Sequence, residues 1–330
     1  MKAMKRLFSL LVVISMMFIM VGCKKNEVEF RVGIVQYVSA GALDSAREGI
    51  IEALKKGGFE DGKNIKINVY NPQAKQEDLA TMAELAVQEN DILFAIATPV
   101  ALVVKAEAEK QDSDIPILFT AVTDPVASGI VTNATKPGGN ISGTNDMNPV
   151  ASQIALATQL GITVNKIGIV FTSSESNSIV QAGLADTKCR ELNITLVQNQ
   201  ISSVNDLQSA VTNLVENERV DVMYIPTDNI VADNMNTVAT ICNNNRVITI
   251  CGEEGLVNDG GIITLGINYK DLGVLTGEMA VKVMKGQAKV GDLAVGGLTN
   301  FELVINLAKA QEAGITLPEE LVNRADRVIR

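Results

Sequence analysis

The chain reads as an α/β protein: two similar doubly wound parallel-sheet lobes joined by a multi-strand hinge. Apolar runs of strand length alternate with longer amphipathic stretches, the pattern of a parallel sheet with helices on both faces. The whole alternation then occurs a second time. The segments that would join the two copies are rich in Gly, Pro and Asn, the residues of turns and crossings.

In order, RVGIVQY reads as a buried strand and ALDSAREGIIEALKKGGF as a helix. Ala46, Ile50, Ala53 and Leu54 share one face of that helix, and Gly57-Gly58 ends it. IKINVYN is a strand, EDLATMAELAVQEN a helix and DILFAIAT a strand; VALVVKAEAEKQ is a helix and IPILFTAV a strand. The second pass runs KIGIVFT, SNSIVQAGLADTKCRELN, ITLVQNQI, NDLQSAVTNLVENE, DVMYIPTDN and RVITICGEEG. KPGGNISGTNDMNPV is read as the link and GGIITLGINYKDLG as a second crossing. The helix LGVLTGEMAVKVMKG is expected to pack back on the first lobe. The expected division is residues 30–145 with 269–290 for the first lobe, and 146–268 with 291–330 for the second. Lobes tied by several crossings can rotate but not separate.

The 330 residues are 47% hydrophobic and carry a formal net charge of −10, with no histidine. The acidic balance argues against nucleic acid as a partner, since neutralising phosphates needs clustered Lys and Arg. The missing histidine removes the commonest general base and metal ligand. No metal or cofactor is expected, and no Gly-x-x-x-x-Gly-Lys-Ser/Thr loop is present to hold ATP. At the N-terminus, Lys2, Lys5 and Arg6 precede an apolar run from Leu7 to Met20, followed by Val21-Gly22-Cys23 and polar KKNE. This is a secretory signal layout, too short in its apolar part for a spanning helix. Gly22-Cys23 resembles the bacterial lipobox, in which the cysteine is lipidated. Residues 1–22 are read as signal peptide and 23–29 as linker. Cys23 would then tether the protein to the membrane. Cys189, Cys242 and Cys251 make no disulfide framework and read as buried small hydrophobes; a Cys242–Cys251 pair stays open.

In open parallel sheets, ligands bind beyond the carboxyl ends of the strands. In the first copy those positions hold Gln36 to Ser39, Thr98-Pro99 and Thr123-Asp124-Pro125. In the second they hold Ser173 to Ser178, Thr227-Asp228-Asn229 and Gly252 to Glu254. The hydroxyl-rich FTSSESNS lacks both a histidine and a G-x-S-x-G elbow, so a hydrolase built on Ser174 or Ser176 is disfavoured. Ser176, Asn177 and Ser178 open a helix, where exposed N–H groups suit an anion such as a carboxylate; simple N-capping is the alternative. Glu175, in the same run, is expected to face solvent or a lysine. Asp228 suits an ammonium group, or else caps the segment starting near Ile230. Thr98 is placed to donate from the opposite lobe. Asp124-Pro125 reads as a turn. An anion site and a cation site in one cleft describe a zwitterion such as an amino acid.

VGIVQ with ALDSAREG, AIATP, LFTAVTDPVASGIV, KPGGNISG, SSESNS, YIPTDN, GINYKDLG and NLAKAQEAGITLPEEL, in this order, resemble the ABC-transporter substrate-binding lipoproteins of the TrpX type. The resemblance spans nearly all of the chain after Cys23. It implies the type I periplasmic-binding-protein fold, with an aromatic amino acid, tryptophan or phenylalanine, closed between the lobes. It implies that Ser174, Asn177 and Ser178 hold the carboxylate with Thr98 across the cleft, and that Asp228 holds the amino group. Gln36, Tyr37, Glu253 and Tyr269 would be further lining residues. The loop YVSAG after VGIVQ departs from many relatives and bears on side-chain specificity. The implied mode is capture rather than catalysis, by a monomer at the outer face of the cytoplasmic membrane. Its partners would be an ABC permease and its ATPase. A nucleoside or sugar ligand, or a sensor without transport, are the alternatives.

Overall fold

The computed structural model describes residue 28 and residues 30–330; the signal-like segment and Cys23 lie outside the described residues. In the first lobe, β1 (Phe30–Gln36), β2 (Ile65–Tyr70), β3 (Ile92–Ile96), β4 (Ile117–Val122) and β5 (Ile141–Asn145) pair in parallel, in the order β5-β4-β3-β1-β2. β3 and β4 are buried at every residue. That is why ILFAI and ILFTAV show no alternation, since both faces of the sheet are covered. The cover includes α1 (Gly41–Lys56), α2 (Gln76–Glu89) and α3 (Thr98–Lys110). α1 buries Leu43, Ala46, Gly49, Ile50, Ala53 and Leu54 along one stripe, the spacing of a helix face.

The second lobe begins with α4 (Val150–Ala155), then β6 (Lys166–Thr172), α5 (Ser176–Glu191), β7 (Thr195–Ile201), α6 (Val204–Thr212) and β8 (Val222–Ile225). It continues through α7 (Asn229–Asp233), α8 (Met235–Asn244), β9 (Ile248–Cys251), α9 (Glu254–Asn258) and β10 (Ile263–Gly266). Its strands lie in the order β10-β9-β8-β6-β7, the order of the first lobe with every number raised by five. The duplication read in the sequence is thus a duplication of topology. Cys189, Cys242 and Cys251 are buried and unpaired, and burial pushes the thiols of Cys189 and Cys242 up, to about 11 and about 12.

Each copy has a fifth strand that sends the chain to the other lobe. ISGTN, read as part of the link, is β5. α10 (Tyr269–Met284) follows β10 and packs back on α1 of the first lobe, as expected, with the two helices running in the same direction. Glycines make this contact close. A Cβ on Gly49 would strike the Lys270 carbonyl, one on Gly273 the Ala46 carbonyl, and one on Gly277 the Ala53 methyl. A hydroxyl ladder then ties α10 to the sheet: Thr120 to Thr144 at 3.0 Å and Thr144 to Thr276 at 2.7 Å, both buried.

The second boundary is corrected. The sequence places residues 291–301 in the second lobe, yet they stay with the first. Gly296–Gly297 form β11 beside β5, and Leu293, Val295, Leu298 and Phe301 pack on the first core. A two-residue strand inside LAVGGLTN carries no periodicity to read. The chain crosses to the second lobe after Phe301. There β12 (Glu302–Asn306) pairs antiparallel with β10, α11 (Leu307–Glu312) and α12 (Glu319–Asn323) follow, and β13 (Arg327–Ile329) joins β12. Three crossings, at 146–149, 267–268 and after 301, form the hinge. Among the described residues no helix is long and apolar enough to cross a membrane.

Candidate functional site

The two sets of strand ends face each other across a small interlobe cavity lined from both sides. From the first lobe and hinge come Ala40, Ala42, Leu43, Ala121, Thr123, Asp146 and Tyr269. The second lobe contributes Asn177, Thr227, Asp228, Asn229, Ala232 and Glu253. The lining therefore has an apolar wall at the start of α1 and a polar floor at the strand ends. No Lys or Arg lines it, while three carboxylates do. The lobes touch around its edge. Ser128 and Ser176 hydroxyls lie 3.2 Å apart, and Gln181 Nε2 reaches Thr123 Oγ1 at 3.4 Å and Thr227 Oγ1.

Asp228 is fully engaged within its own lobe. It accepts from the Thr172 amide (2.6 Å), the Thr172 hydroxyl (2.9 Å), the Ser178 hydroxyl (2.8 Å) and the Val231 amide (3.0 Å). The last of these makes it the N-cap of α7. The capping alternative raised by the sequence is therefore present, and Ser178 serves Asp228.

Glu175 is the clearest correction. It does not face solvent or a lysine but is 2% exposed. It accepts from Asn177 Nδ2 (3.0 Å), the Asn229 amide (3.1 Å), Asn229 Nδ2 (2.6 Å) and the Ile230 amide (3.3 Å). The attraction is the start of α7, whose unpaired N–H groups draw a carboxylate. Burial, then the charge of Asp228, push Glu175 up to about 8, against the pull of its amide donors. Glu175 thus places a carboxyl group of this chain's own at the start of α5. Ser174 is exposed and lies outside the cavity lining.

Three buried oxygens near the cleft have no partner: Thr98 Oγ1, Asp146 Oδ1 and Asn177 Oδ1. Such groups are costly when left unmet. Asn177 is aimed by its amide nitrogen, which donates to Glu175, Ser178 Oγ and the Thr227 carbonyl (2.8 Å), leaving Oδ1 over. Asp146 is held by the Tyr269 hydroxyl on Oδ2 at 2.6 Å, leaving Oδ1 over. Burial pushes its carboxyl up, while the hydrogen bond from Tyr269 pulls the other way. Ala97 and Ala121, at the ends of β3 and β4, have φ of 89° and 54°. Alanine rarely adopts these values, and such strain gathers at ligand sites.

Of the remaining expected lining residues, Tyr269 and Glu253 are at the cavity. Glu253 also caps α9 through the Gly255 and Leu256 amides, and burial raises it to about 7. Gln36 is corrected: it is spent inside the first lobe, donating to the Val38 carbonyl and Asp44 and accepting from Arg47. Tyr37 is buried beside the cleft without lining it; its hydroxyl reaches the Ala74 carbonyl at 3.5 Å. Thr98 is buried at the first residue of α3, also outside the lining. Asp124 makes the expected turn, accepting from Val126 and Ala127 amides. Asp146 was missed. The available signal was an acidic residue directly after ISGTN, the counterpart of Asn268 after the matching strand of the second copy.

Two matching doubly wound lobes, a three-crossing hinge and an interlobe cavity define a type I periplasmic-binding-protein architecture. The family model for ABC transporter substrate binding proteins matches residues 31–329. The chain belongs to that family. It is 37% identical over 276 residues to a tyrosine-binding protein of Clostridioides difficile (strain R20291), covering 83% of this chain and 78% of that one. A Streptococcus pneumonia domain in complex with L-Trp is similar at 34% identity and a TM-score of 0.84, over 91% of this chain and 99% of that one. The ligand-free, open structure of a Clostridium difficile substrate-binding protein with adhesive properties has 35% identity with the same coverage, but a TM-score of 0.67.

Proposed function

We propose that the cleft captures a free aromatic amino acid for an ABC importer, and that lipidated Cys23 tethers the protein at the outer face of the cytoplasmic membrane. One observation carries the ligand class. Two buried, unpartnered acceptors, Asp146 Oδ1 from the hinge and Asn177 Oδ1 from the second lobe, belong to one interlobe cavity that no Lys or Arg lines. An ammonium group supplies the donors and the charge such a place lacks. The ligand carboxylate then falls to the first lobe, where the Thr98 and Thr123 hydroxyls and the starts of α1 and α3 offer donors. Ala40, Ala42, Leu43 and Ala232 take the apolar side chain. Asp228 and Ser178 act one step back, by ordering α7 and Asn177. This reading is supported by what the relatives bind, tyrosine and L-Trp, and by the closer likeness to the Trp complex than to the open form at nearly the same identity. A ligand touching both lobes favours closure, because only the closed form makes all contacts together. The loaded protein then docks on its permease.

Thermal denaturation of the purified protein against amino acids, sugars and nucleosides tests this. L-tyrosine, L-tryptophan or L-phenylalanine is expected to stabilise it, by about 2.7 kcal/mol at a hundredfold excess over Kd. A response confined to sugars or nucleosides overturns the proposal.

A further inference from the structure

We infer that Tyr269 is a positioning residue that joins the ligand to the hinge: its hydroxyl fixes the Asp146 carboxylate for the ligand's ammonium and fastens one lobe crossing to another. The inference rests on the proposed amino-acid ligand and adds how its binding is passed to closure.

Asp146 and Asn148 sit in the crossing at 146–149, and Tyr269 directly follows the crossing at 267–268. All three are at most 5% exposed. Tyr269 OH donates to Asp146 Oδ2 at 2.6 Å and receives Asn148 Nδ2 at 3.4 Å. Asn148 Nδ2 also donates to the Asp146 carbonyl at 3.1 Å, and Asn148 Oδ1 accepts the Ile267 amide at 3.0 Å. Two crossings are thus laced together by one phenol and one amide. A Cβ on Gly266 would lie 3.0 Å from Asn148 Oδ1, so glycine there lets the strands approach.

The lacing ends in the cavity. With Oδ2 held by Tyr269, the carboxylate has one orientation, and its other oxygen is the unpartnered one. A ligand ammonium at Oδ1 therefore bears on a group that belongs to the hinge itself. Rotation of the lobes changes the relation of these crossings, so the phenol–carboxylate bond and the ammonium contact are made together or lost together. The charged neighbours are acidic: Glu253 faces Tyr269 from the start of α9 and raises its phenol together with burial and Asp146. Glu175 and Asp228 lie on the second-lobe side. No cation among the cavity-lining residues competes with the ligand for Asp146.

A structural role alone would weaken binding equally at every pH. A positioning role shifts the acid limb. Binding needs Asp146 ionised, so affinity falls as pH drops through the pKa of Asp146. The Tyr269 hydrogen bond lowers that pKa, so its removal must move the fall to higher pH. The test is calorimetric titration of L-tyrosine and L-tryptophan from pH 4.5 to 8 into the wild type, Tyr269→Phe and Asp146→Asn. We expect Tyr269→Phe to bind at least tenfold more weakly at pH 7, with its acid limb displaced upward. Asp146→Asn, which retains an acceptor for the phenol, is expected to lose binding at least a hundredfold and to have no acid limb. Equal affinity and an unmoved limb in Tyr269→Phe overturn the positioning role while leaving the ligand assignment standing. A wild type that takes neither amino acid at any pH overturns the ligand reading and this inference with it.

Discussion

Asp228→Ala is expected to unfold the second lobe at a temperature roughly 10 °C lower, a loss of about 4 kcal/mol. The change leaves the Thr172 amide and hydroxyl, the Ser178 hydroxyl and the Val231 amide without their acceptor, all buried. Each stranded buried donor costs about 1–3 kcal/mol, and water entering the space returns part of that. Ser178→Ala removes a single donor and should cost only about 1 kcal/mol. The charge contributes a second, opposite effect. Glu175 has its pKa raised to about 8 by burial and by Asp228. A carboxyl raised in the folded state adds stability that is complete below its unfolded pKa of about 4.5 and is lost as pH climbs through about 8. The wild type should therefore lose stability between those values, and Asp228→Ala should lose less over the same span. Urea denaturation at pH 5 and pH 8 measures both effects. A variant as stable as the wild type at pH 5 would show that the four hydrogen bonds are not made.

Gly273→Ala carries the second large effect, from the other lobe. In an exposed helix interior this substitution stabilises by about 1 kcal/mol, because glycine loses more backbone freedom on folding. Here the added Cβ meets the Ala46 carbonyl, a backbone atom that cannot step aside. α10 must lift from α1, opening the Gly49 and Gly277 contacts as well. Overpacking a tight contact typically costs about 1–3 kcal/mol, and a whole helix displaced puts this site at the upper end or beyond. Gly183 in α5 is the control, since a Cβ there meets nothing within 4 Å. Gly183→Ala should raise the denaturation midpoint while Gly273→Ala lowers it. The same sign at both positions would contradict the close packing of α1 on α10.

These two positions also show what the sequence could and could not disclose. The return of α10 to the first lobe was legible, because VLTGEMAVKVM continues a helix period after the second copy had already ended. Buried strands such as ILFAI and VMYI were legible by their unbroken apolar character. β5 was not, since ISGTN is small and polar after Ile141, and its hydroxyls are buried against Thr120, Thr276 and the Leu293 carbonyl. The pair Gly296–Gly297 offered nothing to read at all.

The strand ends were found from topology, and Asn177, Asp228, Glu253 and Tyr269 do line the cleft. The direction of each side chain was the harder question. Charge alone suggested that Glu175 would avoid a buried site. The short helix α7, beginning at Asn229, supplies amides that draw it inward. Asp228 was rightly placed but is satisfied by its own lobe. The unsatisfied carboxylate is Asp146, which a single acidic letter in a linker did not announce.

The most direct test is a crystal structure of the protein with L-tyrosine or L-tryptophan bound. The ligand should lie between the lobes, with its ammonium within hydrogen-bonding distance of Asp146 Oδ1 and Asn177 Oδ1 and its carboxylate toward Thr98 and Thr123. An amino acid seated with its carboxylate at Asn177, or bound outside the interlobe cavity, would contradict the account.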